Sequence, residues 1–402
     1  MGCGCRKSIS ALLAAINICC VFLVLIAFPR LFPRKQVLDT AHTCDIVAMK
    51  SNQKIPALPS NEAPSNKCSK VRNLAFLKVH KCGGSTIANI LQRFVTRNQL
   101  NVVLPNKDTW SYGFNHLGIN RNFTMKSVIP IPRNETYNVI CHHVEYNRTM
   151  FKKLLPEDAP FFAIVRDPEE RFVSAAFYYQ LVKDLKRKVK GFNRTNYIFT
   201  EWLKNPRKYT SAIETSNHMA YDFGISEMYF HNSSYVDEYI RSLDSDFDFV
   251  LLMDYFDESL MLLRRKLCWS MKDMVYLRSN SGKNKVDFAL SEDDRKLLRK
   301  WQMADVAIFE HFRARFWRQV ESEGRELFQE TAFFKQILRR VRDYCKYGKL
   351  RWPSVDIASS SWSESFNVTV EDCKQMETGE LEFVAMLQKS AWAKYNASLT
   401  RS

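Results

Sequence analysis

Four short apolar runs recur along the chain, separated by longer stretches in which apolar residues return every three or four positions. The runs are NLAFLKV (73–79), NVICHHV (138–144), PFFAIVRD (160–167) and DFVLLMDY (248–255). Runs this short and this continuously apolar read as strands covered on both faces, and the amphipathic stretches between them read as helices. TIANILQRFVTR follows the first run, a short polar helix the second, PEERFVSAAFYYQLVKDLKRK the third and FDESLMLLRRKLCW the fourth. The alternation predicts an α/β fold with a central parallel sheet flanked by helices, turning mostly helical beyond about residue 290. Ser85 or Thr86 is expected to cap the helix after the first strand. Asp167 is expected to cap the helix after the third, with Pro168 in its first turn, where a missing N–H costs nothing.

Ahead of this pattern lies a different one. Ile9 to Phe28 carries no charge and is long enough to cross a bilayer as a helix. The next residues, FPRLFPRK, offer no small-residue cleavage site, so the segment reads as a retained anchor. Basic residues on both flanks leave the orientation rule indecisive, and the short head, 1–8, favours a type II topology. Cys3 and Cys5 in that head are candidates for acylation; a myristoylation pattern fails at Arg6. The expected organisation is head 1–8, anchor 9–28, Pro/Ser/Asn-rich stem 29–70, globular domain 71–345 and C-terminal extension 346–402.

Seven Asn-x-Ser/Thr sequons lie beyond the anchor, at Asn122, Asn134, Asn147, Asn193, Asn232, Asn367 and Asn396, as a lumenal domain of the secretory pathway would have. Seven of the eleven cysteines are on the same side, so disulfides are allowed and the odd number leaves at least one thiol unpaired or bridged to another chain. A formal net charge of +16 adds an acidic partner without choosing among nucleotide, anionic glycan and membrane surface.

Candidate chemistry falls where the strands end. In LKVHKCGGST (77–86), Gly83 and Gly84 allow a tight turn that aims backbone N–H groups of Gly83, Gly84, Ser85 and Thr86 at one anion, with Lys78 and Lys81 adding charge. It is not a Walker A loop, because the lysines precede the glycines; an ordinary strand–turn–helix with surface lysines explains the loop taken alone. Arg166 ends the third strand and Ser174 lies on the helix after it, a pairing that can clamp a second phosphate. A surface ion pair between Asp167 and Arg171 accounts for part of that segment, but not for an arginine ending so apolar a strand. His80 and His143 are the candidate bases, imidazole having an unperturbed pKa of about 6.5. Only one of His142 and His143 can face the site, since neighbours on a strand point to opposite sides. Cys141, His142 and His143 lack further zinc ligands at a recognised spacing. In TSNHMAYDFG (215–224), Asn217 and His218 are candidates to touch an acceptor; Tyr178 and Tyr179 read as core.

These segments together resemble the Golgi carbohydrate sulfotransferases, and within them the galactose-3-O-sulfotransferases. The carrying residues are Phe76 to Lys81, Ser85–Thr86, Asn138 to Cys141, Arg166–Asp167–Pro168, Tyr255 to Ser259, Leu267 to Trp269 and Phe316 to Arg318. The resemblance spans roughly residues 71–330, and Val79 and Cys82 stand where the family more often has threonine. It implies a P-loop-like domain that uses 3′-phosphoadenylyl sulfate (PAPS), with no metal required. The loop from Lys81 through Cys82 to Thr86 would hold the phosphosulfate, Lys81 would serve the bridging oxygen, and Arg166 with Ser174 would hold the 3′-phosphate. The implied acceptor is the 3-hydroxyl of a terminal galactose on a galactosylceramide-type glycolipid or a glycoprotein glycan, met at the Golgi membrane, with no nucleic acid involved. Two alternatives stay open: a glycosaminoglycan O-sulfotransferase, and a non-catalytic glycan-binding protein of the same fold.

Overall fold

The computed structural model describes residues 68–106, 116–118, 123–188, 195–209, 215–277 and 290–400. The expected anchor lies outside them, as do Asn122 and Asn193; among the described residues no helix is long and apolar enough to cross a membrane. Residues 67–402 form one packed unit.

Its centre is a four-stranded parallel sheet of β1 (Leu74–Leu77), β2 (Val139–Ile140), β3 (Phe161–Val165) and β4 (Phe249–Leu252), in the order β2-β1-β3-β4. Ala75 sits between Ile140 and Phe161, and Val165 pairs with Leu252. Every residue of the four strands is buried, which is why each reads as a continuous apolar run rather than an alternating one. After β1 the chain goes out to β2 on one side, and the remaining strands lie on the other. The switch point of the sheet is therefore at the carboxyl ends of β1 and β3, where open α/β sheets bind their ligands.

Helices cover both faces: α1 (Gly84–Asn98), α2 (Arg148–Leu154), α3 (Pro168–Tyr178), α4 (His218–Asp222), α5 (Ser233–Asp246), α6 (Phe256–Leu267), α7 (Met303–Glu323) and α8 (Arg325–Tyr347). Helices 181–188, 195–204 and 292–301 join Phe172 of α3 in a smaller second apolar cluster. Asp167 caps α3 as expected, accepting from the N–H groups of Glu169 and Glu170 at 3.0 and 3.1 Å. Arg171 does not pair with it at the surface. It is wholly buried and faces Asp305 of α7 at 3.4 Å. At α1 the cap is Gly83 in the left-handed region (φ 82°), with no side-chain capping bond; neither Ser85 nor Thr86 serves.

The C-terminal segment is no appendage. The hairpin β5 (Ser354–Ile357) and β6 (Phe366–Thr369) leads to α9 (Val370–Glu377) and α10 (Glu380–Leu399). Val368, Cys373, Met376, Phe383 and Val384 are buried, all but Phe383 within the main core cluster. Disulfide Cys345–Cys373 ties α8 to α9, and Cys68–Cys268 ties the start of the unit to the end of α6. Cys82 and Cys141 are buried free thiols, and Cys44 lies outside the described residues.

At the start of α10, Glu380 forms an ion pair with the buried Lys78 and accepts from the Ser85 hydroxyl at 2.7 Å. Removing one member of a buried pair strands the other in a place water cannot reach. Glu380→Leu is expected to lower stability by about 3–5 kcal/mol, and Lys78→Met with Glu380→Leu to recover most of it. Denaturant midpoints of the wild type and the two variants check this.

Candidate active site

The segment after β1 turns abruptly. Lys81 (φ 63°) and Gly83 (φ 82°) both take left-handed backbone, and a Cβ on Gly83 would lie 2.4 Å from Met253 Sδ at the end of β4. A Cβ on Gly84 would meet the stem of Lys78 at 2.7 Å. The two glycines thus let the loop close over Lys78 and start α1 directly, leaving the helix's first N–H groups at the switch point.

Four of the expected anion ligands, Lys81, Gly83, Ser85 and Thr86, are partly exposed there, and Gly84 is buried over Lys78. Lys78 is committed elsewhere, its side chain 1% exposed and its ammonium held by Glu380, so the loop's surface ammonium is that of Lys81. Cys82 is also buried; its Sγ lies 3.4 Å from the His80 carbonyl, and burial pushes its thiol well above the usual range, which leaves only its backbone for a ligand. Lys81 Nζ lies 3.5 Å from the centre of the Tyr178 ring. Tyr178 is 67% exposed and forms an outer wall of the site instead of part of the core.

The two anion segments meet. Arg166, at the end of β3, donates to the Lys81 carbonyl at 3.4 Å and to Glu170 at 3.1 Å. Burial, and then the Arg166 charge, pull the Lys81 ammonium down from 10.5 to about 8. Ser174 is half-buried on α3, two turns beyond Asp167.

Beside this cleft stand four stacked imidazoles. The His80 ring lies 3.9 Å from His143, 4.3 Å from His218 and 5.3 Å from His116, centre to centre. His80 is fixed at two points by Asp222 of α4. Its backbone N–H donates to Oδ2 at 2.7 Å, and its ring Nδ1 lies 2.9 Å from Oδ1. Burial by itself would raise the Asp222 carboxyl, but His80 and His218 beside it, with the two hydrogen bonds, hold it below the usual carboxylate range. Asp222 is therefore an anion, Nδ1 of His80 carries the proton and Nε2 is the accepting atom. In His143, Nδ1 donates to the Lys78 carbonyl at 3.0 Å, so its Nε2 is also the accepting atom. Burial, followed by the nearby His80 and Lys78, holds His143 neutral, well below its ordinary pKa. His142 faces the other way, wholly buried beside Cys141 and lowered to about 4 by burial.

Of the two expected acceptor contacts, His218 joins the stack, whereas Asn217 does not reach it. Asn217 is wholly buried, donates to the Trp301 carbonyl at 3.0 Å and accepts from the N–H groups of Ala304 and Asp305 at 2.9 and 3.1 Å. Its amide fastens α4 to the start of α7 and is out of reach of a sugar. Sequence reasoning passed over Asp222, although a spacing of four from His218 puts the two on one helical face, a usable signal. His116 was beyond it: FNHLG matches no motif, and only a parallel bridge to His143 brings it in. The five described sequon asparagines, Asn134, Asn147, Asn232, Asn367 and Asn396, are all exposed.

A parallel sheet with an anion loop at its switch point, flanked by a carboxylate-held imidazole, defines a class of α/β protein equipped to move a group off an anionic donor. The particular family comes from comparison with known proteins: the chain belongs to the galactose-3-O-sulfotransferases, whose family model matches residues 22–358. It is similar to galactosylceramide sulfotransferase from Homo sapiens (29% identical over 377 residues, 88% of this chain and 86% of the relative). It is also similar to galactose-3-O-sulfotransferase 2 from Mus musculus (30% over 287 residues, 68% and 70%) and galactose-3-O-sulfotransferase 3 from Bos taurus (32% over 278 residues, 67% and 62%).

Two outcomes follow for the cleft. An ammonium at the donor's bridging oxygen is lost as pH rises through its pKa, so kcat/KM for the donor should fall above about pH 8. Lys81→Arg should carry that alkaline limb beyond the measurable range even if its plateau is lower. Arg166→Ala should weaken donor binding by about 10- to 100-fold, the loss of one charge-assisted bond, in a direct titration with the nucleotide.

Proposed function

We propose that the chain transfers the sulfuryl group of PAPS to the 3-hydroxyl of a terminal galactose carried by a galactosylceramide-type glycolipid. One observation carries the reading: the loop after β1 and the arginine ending β3 touch across the switch point, so one nucleotide can span both. The glycolipid acceptor is supported by the galactosylceramide sulfotransferases among the relatives, which align over more of this chain than the other two types do. The uncharged segment 9–28 and the sequons support a Golgi membrane protein of type II topology whose folded unit is lumenal.

Sulfuryl transfer asks for in-line placement, a cation on the leaving oxygen and a base for the hydroxyl proton, much as phosphoryl transfer does. The N-terminal N–H groups of α1 receive the phosphosulfate, and Lys81 neutralises the phosphate oxygen from which the sulfuryl group departs. The bond from sulfur to that oxygen breaks as the bond from sulfur to the galactose O3 forms. The hydroxyl proton passes to Nε2 of His80, and Asp222 stabilises the resulting imidazolium through Nδ1, as the carboxylate of a Ser-His-Asp triad does. Among the described residues His143 turns its Nδ1 to a carbonyl and not to a carboxylate, and its charged neighbours His80, Lys78, His116 and His218 each make a proton on it costlier. It serves as the wall against which His80 is stacked. Arg166 and Ser174 take the 3′-phosphate.

The test is a substrate panel for the full-length protein in detergent: PAPS with galactosylceramide, lactose or desulfated heparin. Sulfated galactosylceramide is expected. Product on heparin alone would indicate a glycosaminoglycan sulfotransferase, and nucleotide binding with no product anywhere would indicate a glycan-binding protein. Asp222→Asn and His80→Asn should each lower kcat by about 10²- to 10⁴-fold, and the double variant should be little worse, since the two act as a unit.

A further inference from the structure

Four of the eight histidines of the chain meet in one stack, more than a single base requires. His80, His116 and His143 each offer one ring nitrogen within 4.8 Å of those of the other two. We propose that these three imidazoles form a site for a divalent transition-metal ion of the zinc type, and that its occupancy shuts the enzyme off by taking the lone pair that accepts the proton. The metal site stands on the geometry alone; the loss of activity rests on the reading of His80 as the base.

Two features support it. Metal-bound histidines usually turn their other N–H to a carboxylate or a backbone carbonyl, and both arrangements are already built: His80 to Asp222, and His143 to the Lys78 carbonyl. Each leaves Nε2 as the ligating atom. The backbone holds the third ligand in register, since His116 bridges His143 in parallel and Leu117 N–H donates to the His143 carbonyl at 2.7 Å. Zinc holds nitrogens at about 2.0–2.1 Å, so the three rings must tilt from their near-parallel stack and close by about 1–2 Å. His80, His116 and His143 are all partly exposed, which leaves room for that movement and for a water as fourth ligand. An all-imidazole set suits zinc, cobalt, nickel or copper and does not suit magnesium or calcium, which want oxygen.

The test uses the full-length protein with Co²⁺ and Zn²⁺ as probes. Co²⁺ should give the intense visible absorption of a tetrahedral nitrogen site, and Zn²⁺ should displace it. Zn²⁺ should also raise the melting temperature with its concentration, as any ion that binds only the folded state does. At saturation, sulfate transfer should fall by about 10²-fold or more, the share a general base supplies, and EDTA should restore it; Mg²⁺ should do none of this. His116→Asn should keep basal transfer while losing both the cobalt spectrum and the zinc inhibition. No cobalt spectrum in the wild-type protein would overturn the site, whatever the activity. So would a His116→Asn variant that binds as tightly as wild type. Metal binding with undiminished transfer would keep the site and overturn its effect on the base.

Discussion

The architecture turns on one contact: a guanidinium at the end of β3 resting on the Lys81 carbonyl after β1. The carbonyl faces that charge because Lys81 and Gly83 adopt left-handed backbone, and the loop closes because Gly83 and Gly84 leave room for Met253 and Lys78. Charge then has consequences in every direction. Burial, and then the Arg166 charge, lower the Lys81 ammonium, which makes it sensitive to what binds beside it.

The loop is also braced from below, and by an unexpected part of the chain. Lys78 runs beneath Gly84, buried, and its counter-charge comes from Glu380, beyond the residues matched by the family model. A buried lysine without a partner is costly enough to change its protonation or its position. The C-terminal helices are thus part of what holds the anion loop in shape, and disulfide Cys345–Cys373 keeps them in place.

Around His80 the same economy appears. Asp222 binds both its backbone and its ring, so a single carboxylate sets the place and the tautomer of this imidazole. The neighbouring imidazoles stay neutral because burial makes each further positive charge expensive. The stack therefore keeps the accepting nitrogens of these neighbours unprotonated at the cleft, while the Asp222 carboxylate offsets the cost of a positive charge at His80.

Much of this was readable from the chain. The four strands were legible because parallel strands buried on both faces are apolar at every position, and the caps and glycines marked where the loops fall. Lys81 and Arg166 could be singled out as candidate anion ligands because each stands where such a run ends. What sequence could not supply was distance: Asn217, Arg171 and Lys78 look like surface polar residues, and each proves to be buried with a partner between 84 and 302 positions away. Local pattern determines which segments become strand or helix and which residues end them, since those preferences act over a few neighbours. Which polar side chains are closed off by long-range pairing, and that four histidines from separate segments share one cleft, was decided only when the sheet brought its strand ends together.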